Sequence, residues 1–285
     1  MNKLSDLITV CYFSGTGNTL WSAKKIAESS GCEYELINIG VEAEKDEIVI
    51  EADAVVLLFP SYAYGLPLIV RKFAQKAIFK TQYIAAFVTY GTSPGGTLAE
   101  LARILRRKGE RASYLGRIPA VENYIAIFGA PKPKTTERRL KMQREATEKA
   151  ARCLAERQTN SVITFRPFSI LISLLFSIAL KVFYKCYKVS ADCDGCEICQ
   201  KVCPVSAITM KEGRPVFNEK CEHCQACLNW CPKKAIQFAR LKPGSPRYHH
   251  PEIDISEISR VEACLNRDAH KINKLPGVTA SEAGE

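Results

Sequence analysis

Short apolar runs alternate with helically spaced segments over the first 118 residues. Leu7–Phe13 carries Val10, Tyr12 and Phe13 and predicts a buried strand. Thr19–Ser30 places Leu20, Ala23, Ile26 and Ala27 on one helical face. Glu33–Ile39 alternates weakly and predicts an outer strand, whereas Ala54–Phe59 is the most continuous apolar run and predicts a central one. Leu68–Lys80 reads as a helix, Tyr83–Tyr90 as a strand, Thr97–Lys108 as a helix and Glu110–Ile118 as a last, more polar strand. Five strands separated by helices or crossovers predict an α/β fold with a parallel, doubly wound sheet.

The pattern then changes. Residues 119–134 are irregular and hold Pro119, Pro131 and Pro133. A polar helix is expected over about Thr135–Gln158, with Met142, Ala146, Ala150 and Cys153 inward, packed on the sheet. Phe168–Leu180 is uncharged between Arg166 and Lys181, but shorter than the roughly 20 residues a bilayer span needs. It reads as a buried or interface helix, with a helix lying on a membrane surface as the alternative; the basic end Lys181, Lys185 and Lys188 suits either. Leu241–Pro251 is a Pro/Gly/His loop, Ile253–Leu265 a short amphipathic helix, and the last residues look frayed. The expected divisions are 1–160, a connecting helix over 161–189, a cysteine-rich unit over 190–240 and an extension over 241–285.

Cysteine changes the picture most. Eight of 13 cysteines form two runs, Cys193-x2-Cys196-x2-Cys199-x3-Cys203-Pro204 and Cys221-x2-Cys224-x2-Cys227-x3-Cys231-Pro232. Three thiolates at this spacing wrap one [4Fe-4S] cubane, and the fourth, before proline, closes the other. The expected ligand sets are crossed: Cys193, Cys196, Cys199 and Cys231 for one cluster, Cys221, Cys224, Cys227 and Cys203 for the second. Zinc also binds C-x2-C pairs, but two triplets with trailing Cys-Pro do not divide naturally into zinc sites. Val205–Thr209 and Lys233–Gln237 repeat in step, so the region reads as a duplicated half-module. Over about 190–240 it resembles the bacterial two-cluster ferredoxins, which implies a small α+β domain holding two [4Fe-4S] clusters. Cys11, Cys32, Cys153, Cys186 and Cys264 have no spacing partner and read as packing residues.

A second cofactor is implied after the first strand. Ser14-Gly15-Thr16-Gly17-Asn18-Thr19 follows a strand and opens a helix. Glycines let the backbone turn around an anion, the hydroxyls of Ser14, Thr16 and Thr19 donate to it, and the helix N-terminus adds amides and positive dipole. The loop lacks the lysine of a Walker A motif and the third glycine of a dinucleotide fingerprint. Here the chain resembles flavodoxin over about residues 5–150, with Ser14, Thr16, Gly17 and Thr19 matching that family's phosphate loop. The resemblance implies FMN, strand order 2-1-3-4-5 with the ligand at the switch point, and two flavin-flanking loops. Those loops hold Pro60, Ser61, Tyr62, Tyr64 and Gly65, and Thr89, Tyr90, Gly91 and Gly95; Tyr62, Tyr64 or Tyr90 would stack on the ring. Taken together, the chain resembles flavodoxin-fused two-cluster ferredoxins of anaerobic bacteria and archaea. Asn123-Tyr124 and Arg247-Tyr248-His249-His250-Pro251 look like that family too; the second segment reads as a surface loop, with metal binding or donation to the flavin as alternatives for the paired histidines.

The formal charge of +10 sets no nucleic-acid function. Two clusters and a flavin phosphate, each about −2, would bring the loaded protein to about +4, and no recognition motif appears. Over residues 1–160, 23 Lys and Arg stand against 17 Asp and Glu, unlike the acidic flavodoxins. Arg103, Arg106, Arg107, Lys108 and Arg111, and Arg71, Lys72, Lys76 and Lys80, crowd two helix ends. They read as dipole-complementing surface charge, or as a dock for an acidic redox partner or an anionic membrane surface. Cysteine usage points to a reducing cytoplasm, peripheral to a membrane if residues 168–180 lie on one. With no positioned acid, base or nucleophile, the leading expectation is electron transfer between FMN and two clusters; the alternatives are an FMN-dependent reductase of a quinone or small molecule, and a redox-sensing partner-binding protein.

Overall fold

The computed structural model describes residues 7–160, 172–173, 175–176, 178, 182–238, 241 and 244–258. In chain order the first elements are β1 (Leu7–Tyr12), α1 (Asn18–Glu28), β2 (Glu33–Asn38), α2 (Ile39–Glu42), β3 (Val49–Glu51), β4 (Ala54–Pro60), α3 (Leu68–Lys76), β5 (Ile78–Lys80), β6 (Ile84–Tyr90), α4 (Thr97–Arg107), β7 (Tyr114–Pro119), α5 (Ile125–Phe128) and α6 (Pro133–Ala155). Five strands form one parallel sheet in the order β2-β1-β4-β6-β7. This is the doubly wound arrangement expected from the alternation, in the flavodoxin-like order that the resemblance implies. β4 and β6 are buried along six consecutive residues each, as central parallel strands must be, while β2 is half-buried throughout and lies at the edge.

The expected helix over Leu68–Lys80 stops at Lys76. Ala77 turns extended, and Ile78–Lys80 pairs in parallel with Val49–Glu51 as a second, two-stranded sheet. Both strands alternate exposed, buried, exposed, and the buried residues are Ile50 and Phe79. Met142 is exposed rather than inward. The inner face of α6 is instead set by Gln143, Thr147, Ala150 and Leu154. Gln143 Nε2 donates to Asn18 O (2.8 Å) and Ser22 Oγ (3.0 Å), and the Ser22 and Thr147 hydroxyls pair at 3.0 Å, so polar side chains carry the contact with α1. Of the cysteines outside the two runs, Cys11 and Cys153 are buried packing residues, but Cys32 is half-buried and Cys186 exposed; Cys264 lies outside the described residues.

The second half begins with a 3₁₀ turn at Tyr184–Cys186, then β8 (Tyr187–Val189), α7 (Ile198–Lys201), β9 (Ile208–Lys211), β10 (Arg214–Phe217), α8 (Ala226–Asn229), β11 (Ile236–Phe238) and α9 (Ile255–Ile258). β8 pairs antiparallel with β11, and β9 with β10. The duplication is visible in the backbone. Left-handed residues recur at an offset of 223 − 195 = 28: Gly195 and His223, Glu197 and Gln225, Ser206 and Lys234. So do the amide-to-sulfur bonds Ala207 N–H to Cys203 Sγ (3.2 Å) and Ala235 N–H to Cys231 Sγ (3.3 Å).

One apolar layer lies under α1 and α6, around Val10, Leu20, Ile26 and Leu154. The other, around Phe13, Phe59, Phe73 and Leu101, runs without a break into Ile208, Leu228 and Phe238 of the cysteine unit. Most of the apolar run 168–180, and the helix expected beyond Ile258, fall outside the described residues. Among the described residues no helix is long and apolar enough to cross a membrane. Part of the basic surface is committed locally: Arg71 pairs with Glu100, and Lys108 bonds the Ala74 and Ala77 carbonyls at the end of α3 and pairs with Glu110.

Candidate functional site

The strand order reverses between β1 and β4, and a cleft opens there beyond the carboxyl ends of the strands. It is lined by Ser14, Gly15, Thr16, Asn18 and Thr19 from the first loop, by Pro60, Ser61, Tyr62 and Tyr64 from the second, and by Thr89, Tyr90 and Gly91 from the third. Gly17, Gly65 and Gly95 do not line it. Gly17 shapes the loop with φ 94° and lies under His250 and Ile253; Gly65 backs onto Ser173, and Gly95 onto the Tyr64 backbone. Tyr62 packs edge-on to Phe13 (6.2 Å, 74°), and burial pushes its hydroxyl well up, with Cys224, Glu222 and Cys221 adding to the shift.

The loop fits a phosphate monoester. Among the described residues no Lys or Arg lines the cleft, so hydroxyls and the N-terminus of α1 supply the donors. Thr16 Oγ1 accepts from Asn123 Nδ2 at 2.5 Å, which leaves the Thr16 proton free to be donated. Thr19 and Thr89 share a hydroxyl bond of 2.7 Å, and Ser14 Oγ accepts from Gly17 N–H at 3.2 Å.

Segments from the far end of the chain hold this loop in place, which sequence reasoning missed. Trp230 Nε1 donates to Gly15 O (3.0 Å), His250 N–H to Thr16 O (2.8 Å), and Tyr248 hydroxyl to Asn18 Oδ1 (2.7 Å). Asn229 Nδ2 donates to Asn123 O (3.3 Å), and its Oδ1 accepts from Tyr248 N–H (3.0 Å). The 247–251 segment is therefore no surface loop. His250 is 1% exposed and stacks on Trp21 (5.0 Å), while the exposed His249 stacks on Trp230 (4.1 Å). Burial holds His250 down at about 4, and its Nδ1 accepts from Glu252 N–H at 3.2 Å. The resemblance marks Asn123, Tyr248 and His250 without a role; their contacts with Thr16, Asn18 and Trp21 lie more than 100 residues away in the chain.

Two hollows lie in the cysteine unit. Cys193, Cys196, Cys199 and Cys231 surround one, together with Met210, Pro215 and Ile236. Cys203, Cys221, Cys224 and Cys227 surround the other, with Tyr187 and Ile208. The matching cysteine quartets fit two similar groups. Among the described residues no three Cys, His, Asp or Glu side chains converge as a single metal ion would require. Burial pushes the Cys199 thiol to about 12 and Cys221 to about 11, with neighbouring thiols adding to both, and lifts Cys224 and Cys227 well up. Such a packed sulfur set is costly to ionise alone and fits a cationic iron core, which deprotonates its thiols outright.

The hollows differ in surroundings. Cys196, on the first, is exposed. The second faces inward, and Cys224 lines both it and the cleft, as does Gln225. Gly15 lies directly on this loop: a Cβ there would stand 2.7 Å from Cys224 O. Next to it, Glu222 Oε2 accepts Leu68 N–H at the start of α3 (2.9 Å), and burial pushes that carboxyl up to about 7. Val121, Glu122, Ile127, Phe128, Phe176 and His223, none of them marked by a motif, also line the cleft, as does Tyr124 beside Asn123.

A family model described as a 4Fe-4S dicluster domain matches residues 192–235. No curated protein matches the chain. Among solved structures, a Streptococcus pneumonia TIGR4 flavodoxin is 16% identical, with 50% of this chain and 99% of that chain covered and a TM-score of 0.30. A flavodoxin from the domain Archaea is 20% identical, covering 53% of this chain and 97% of that chain at a TM-score of 0.30. An FMN-dependent NADH-azoreductase from Bacillus anthracis str. Ames Ancestor is 9% identical, covering 55% and 100% at 0.37. By its strand order and its matched domain, the chain joins a flavodoxin-like sheet to a 4Fe-4S dicluster unit.

Proposed function

We propose that this protein transfers electrons between FMN in the cleft and two [4Fe-4S] clusters in the hollows, in the manner of the flavodoxin-fused two-cluster ferredoxins it resembles. One observation carries the reading: Cys224 lines both the cleft and the inner hollow. A flavin exchanges one or two electrons and each cluster one, so the set would couple two-electron to one-electron partners. The residues hold and insulate: hydroxyls of the first loop take the phosphate, the crossed quartets take the irons, and Ile208, Ile236 and Tyr187 exclude water. Exposed Cys196 makes the outer hollow the port for a redox partner protein.

Anaerobically purified protein should contain about eight irons and one FMN per chain. After flash photoreduction at flavin wavelengths, cluster absorbance should bleach at a rate independent of protein concentration. A rate proportional to concentration, or zinc in place of iron, would refute the reading. A second reading, reduction of a quinone or other organic acceptor, is favoured by Ile127 and Phe128, each 64% exposed at the cleft mouth. Steady-state quinone turnover that depends on the clusters would select it.

A further inference from the structure

We propose that His223 and Gln225, on the loop carrying the inner-hollow cysteines, complete the ring end of the cleft as a donor and acceptor for the pyrimidine edge of bound FMN. This inference rests on the cleft being a flavin site.

Both residues line the cleft and are almost fully buried, 3% and 2% exposed. Each keeps one buried polar atom without a partner among the described residues, His223 Nε2 and Gln225 Oε1. Their other ends are engaged. Gln225 Nε2 donates to the Tyr187 hydroxyl at 3.1 Å, and that hydroxyl stands 3.5 Å from His223 Nδ1. In the tautomer that has the Tyr187 hydroxyl, which accepts from Gln225, donate to Nδ1, the ring proton sits on Nε2, which is then a donor. Gln225 Oε1 can only accept. A ligand satisfying both must show a carbonyl or imine acceptor beside an N–H. The isoalloxazine edge has this sequence in its C4 carbonyl and N3–H.

The duplication shows that the backbone alone does not call for these side chains. At the equivalent positions the first half carries Gly195 and Glu197, with the same left-handed backbone, and Glu197 faces solvent. Histidine at φ 52° costs conformational energy that glycine at φ 75° avoids. The imidazole is packed by Phe183, Tyr187 and Phe238 at 4.9–5.6 Å, where a phenyl ring would serve packing without burying an unpaired nitrogen. The half that meets the cleft thus bears strain at His223 and desolvation at both residues, where the solvent-facing half has Gly195 and an exposed Glu197.

The test uses cluster-loaded protein stripped of flavin, titrated with FMN by fluorescence, with iron content and flavin and cluster potentials measured in parallel. His223→Gly installs the residue of the first half and relieves the strain; Gln225→Met removes the Oε1 acceptor together with the Nε2 donor to Tyr187. Each should keep wild-type iron, weaken FMN by about ten- to a hundred-fold and shift the flavin potential, while His223→Gln, which keeps an N–H, recovers part of the affinity. Wild-type affinity and flavin potential in both His223→Gly and Gln225→Met would overturn this inference alone. A shifted cluster potential with unchanged flavin affinity would overturn it too, by assigning His223 to the cluster. Failure of the wild-type protein to take up FMN would overturn the cleft assignment and this inference with it.

Discussion

Gly15→Ala adds one methyl group where the phosphate loop meets the cluster loop. Its Cβ would stand 2.7 Å from Cys224 O and 3.2 Å from Cys224 Cβ. Ordinary contact begins near 3.4 Å, so the two backbones must part by 3.4 − 2.7 = 0.7 Å. Neither neighbour is a flexible chain end: one is a backbone carbonyl, the other the root of a proposed cluster ligand. A shift along the Trp230 Nε1 to Gly15 O bond would stretch it from 3.0 Å to at most about 3.7 Å, beyond hydrogen-bonding reach. Overpacking of this kind costs about 1–3 kcal/mol, and the lost bond adds about 1 kcal/mol. If half of that falls on the phosphate loop, FMN binds about tenfold more weakly. Iron content should stay near wild type, because the nearest atoms to the new Cβ are the carbonyl and Cβ of Cys224 and not a cysteine sulfur. The assays are fluorescence titration of FMN onto cluster-loaded protein and the concentration-independent bleaching rate after flavin photoreduction, which should fall. If affinity and rate both match wild type, this contact does not set the separation of the two sites.

Cys231→Ala should lower iron from about eight to about four per chain, and the surviving cluster should still bleach on flavin photoreduction because it lies beside the cleft; loss of that response would refute the crossed ligand sets. Thr16→Asp places a carboxylate against the phosphate and should weaken FMN by more than about tenfold with riboflavin unaffected, whereas equal loss of both ligands would remove the loop from phosphate binding. His250 titrates at about 4 in the folded protein, below its ordinary 6.5, so the unfolded chain takes up the proton first. Stability is then complete above pH 6.5 and lost as pH falls toward about 4, by at most about 3 kcal/mol. Urea midpoints measured from pH 7.5 to 5.5 should fall more steeply for wild type than for His250→Gln, and parallel slopes would exclude His250 as the cause.

The sheet was legible because its information is local: apolar runs set the strands, and Ala54–Phe59 announced its central place by unbroken hydrophobicity. The first loop and both cysteine runs were legible because their chemistry fixes spacing. Three features were not. β5 hides at the end of a helical pattern, since three residues are too few to show a change of period. The inner face of α6 is partly polar, so hydrophobic periodicity pointed to Met142 when hydrogen bonding had chosen Gln143 and Thr147. The cleft wall contributed by His223 and Gln225 follows from docking one unit on another, and no periodicity within either unit encodes it.

The C-terminal arm decides how rigid that docking is. Tyr248 and His250 bond the phosphate loop, Arg247 Nη2 bonds the Lys234 and Ile236 carbonyls of the cysteine unit, and Glu252 accepts from Trp21 of α1 and Arg144 of α6. Glu257 adds an ion pair to Lys24. These ties reach both halves at once, whereas a covalent connection between the halves would leave their separation free. Electron exchange depends steeply on that separation, so a chain that only joined two carriers would gain little over two free proteins. Here the arm and the Gly15–Cys224 contact hold the cleft against the inner hollow, while the outer hollow keeps Cys196 at the surface. The two halves of a duplicated unit thus differ in what they face, one the cleft and the other the surface, and the proposed function would give the first to the flavin and the second to a partner.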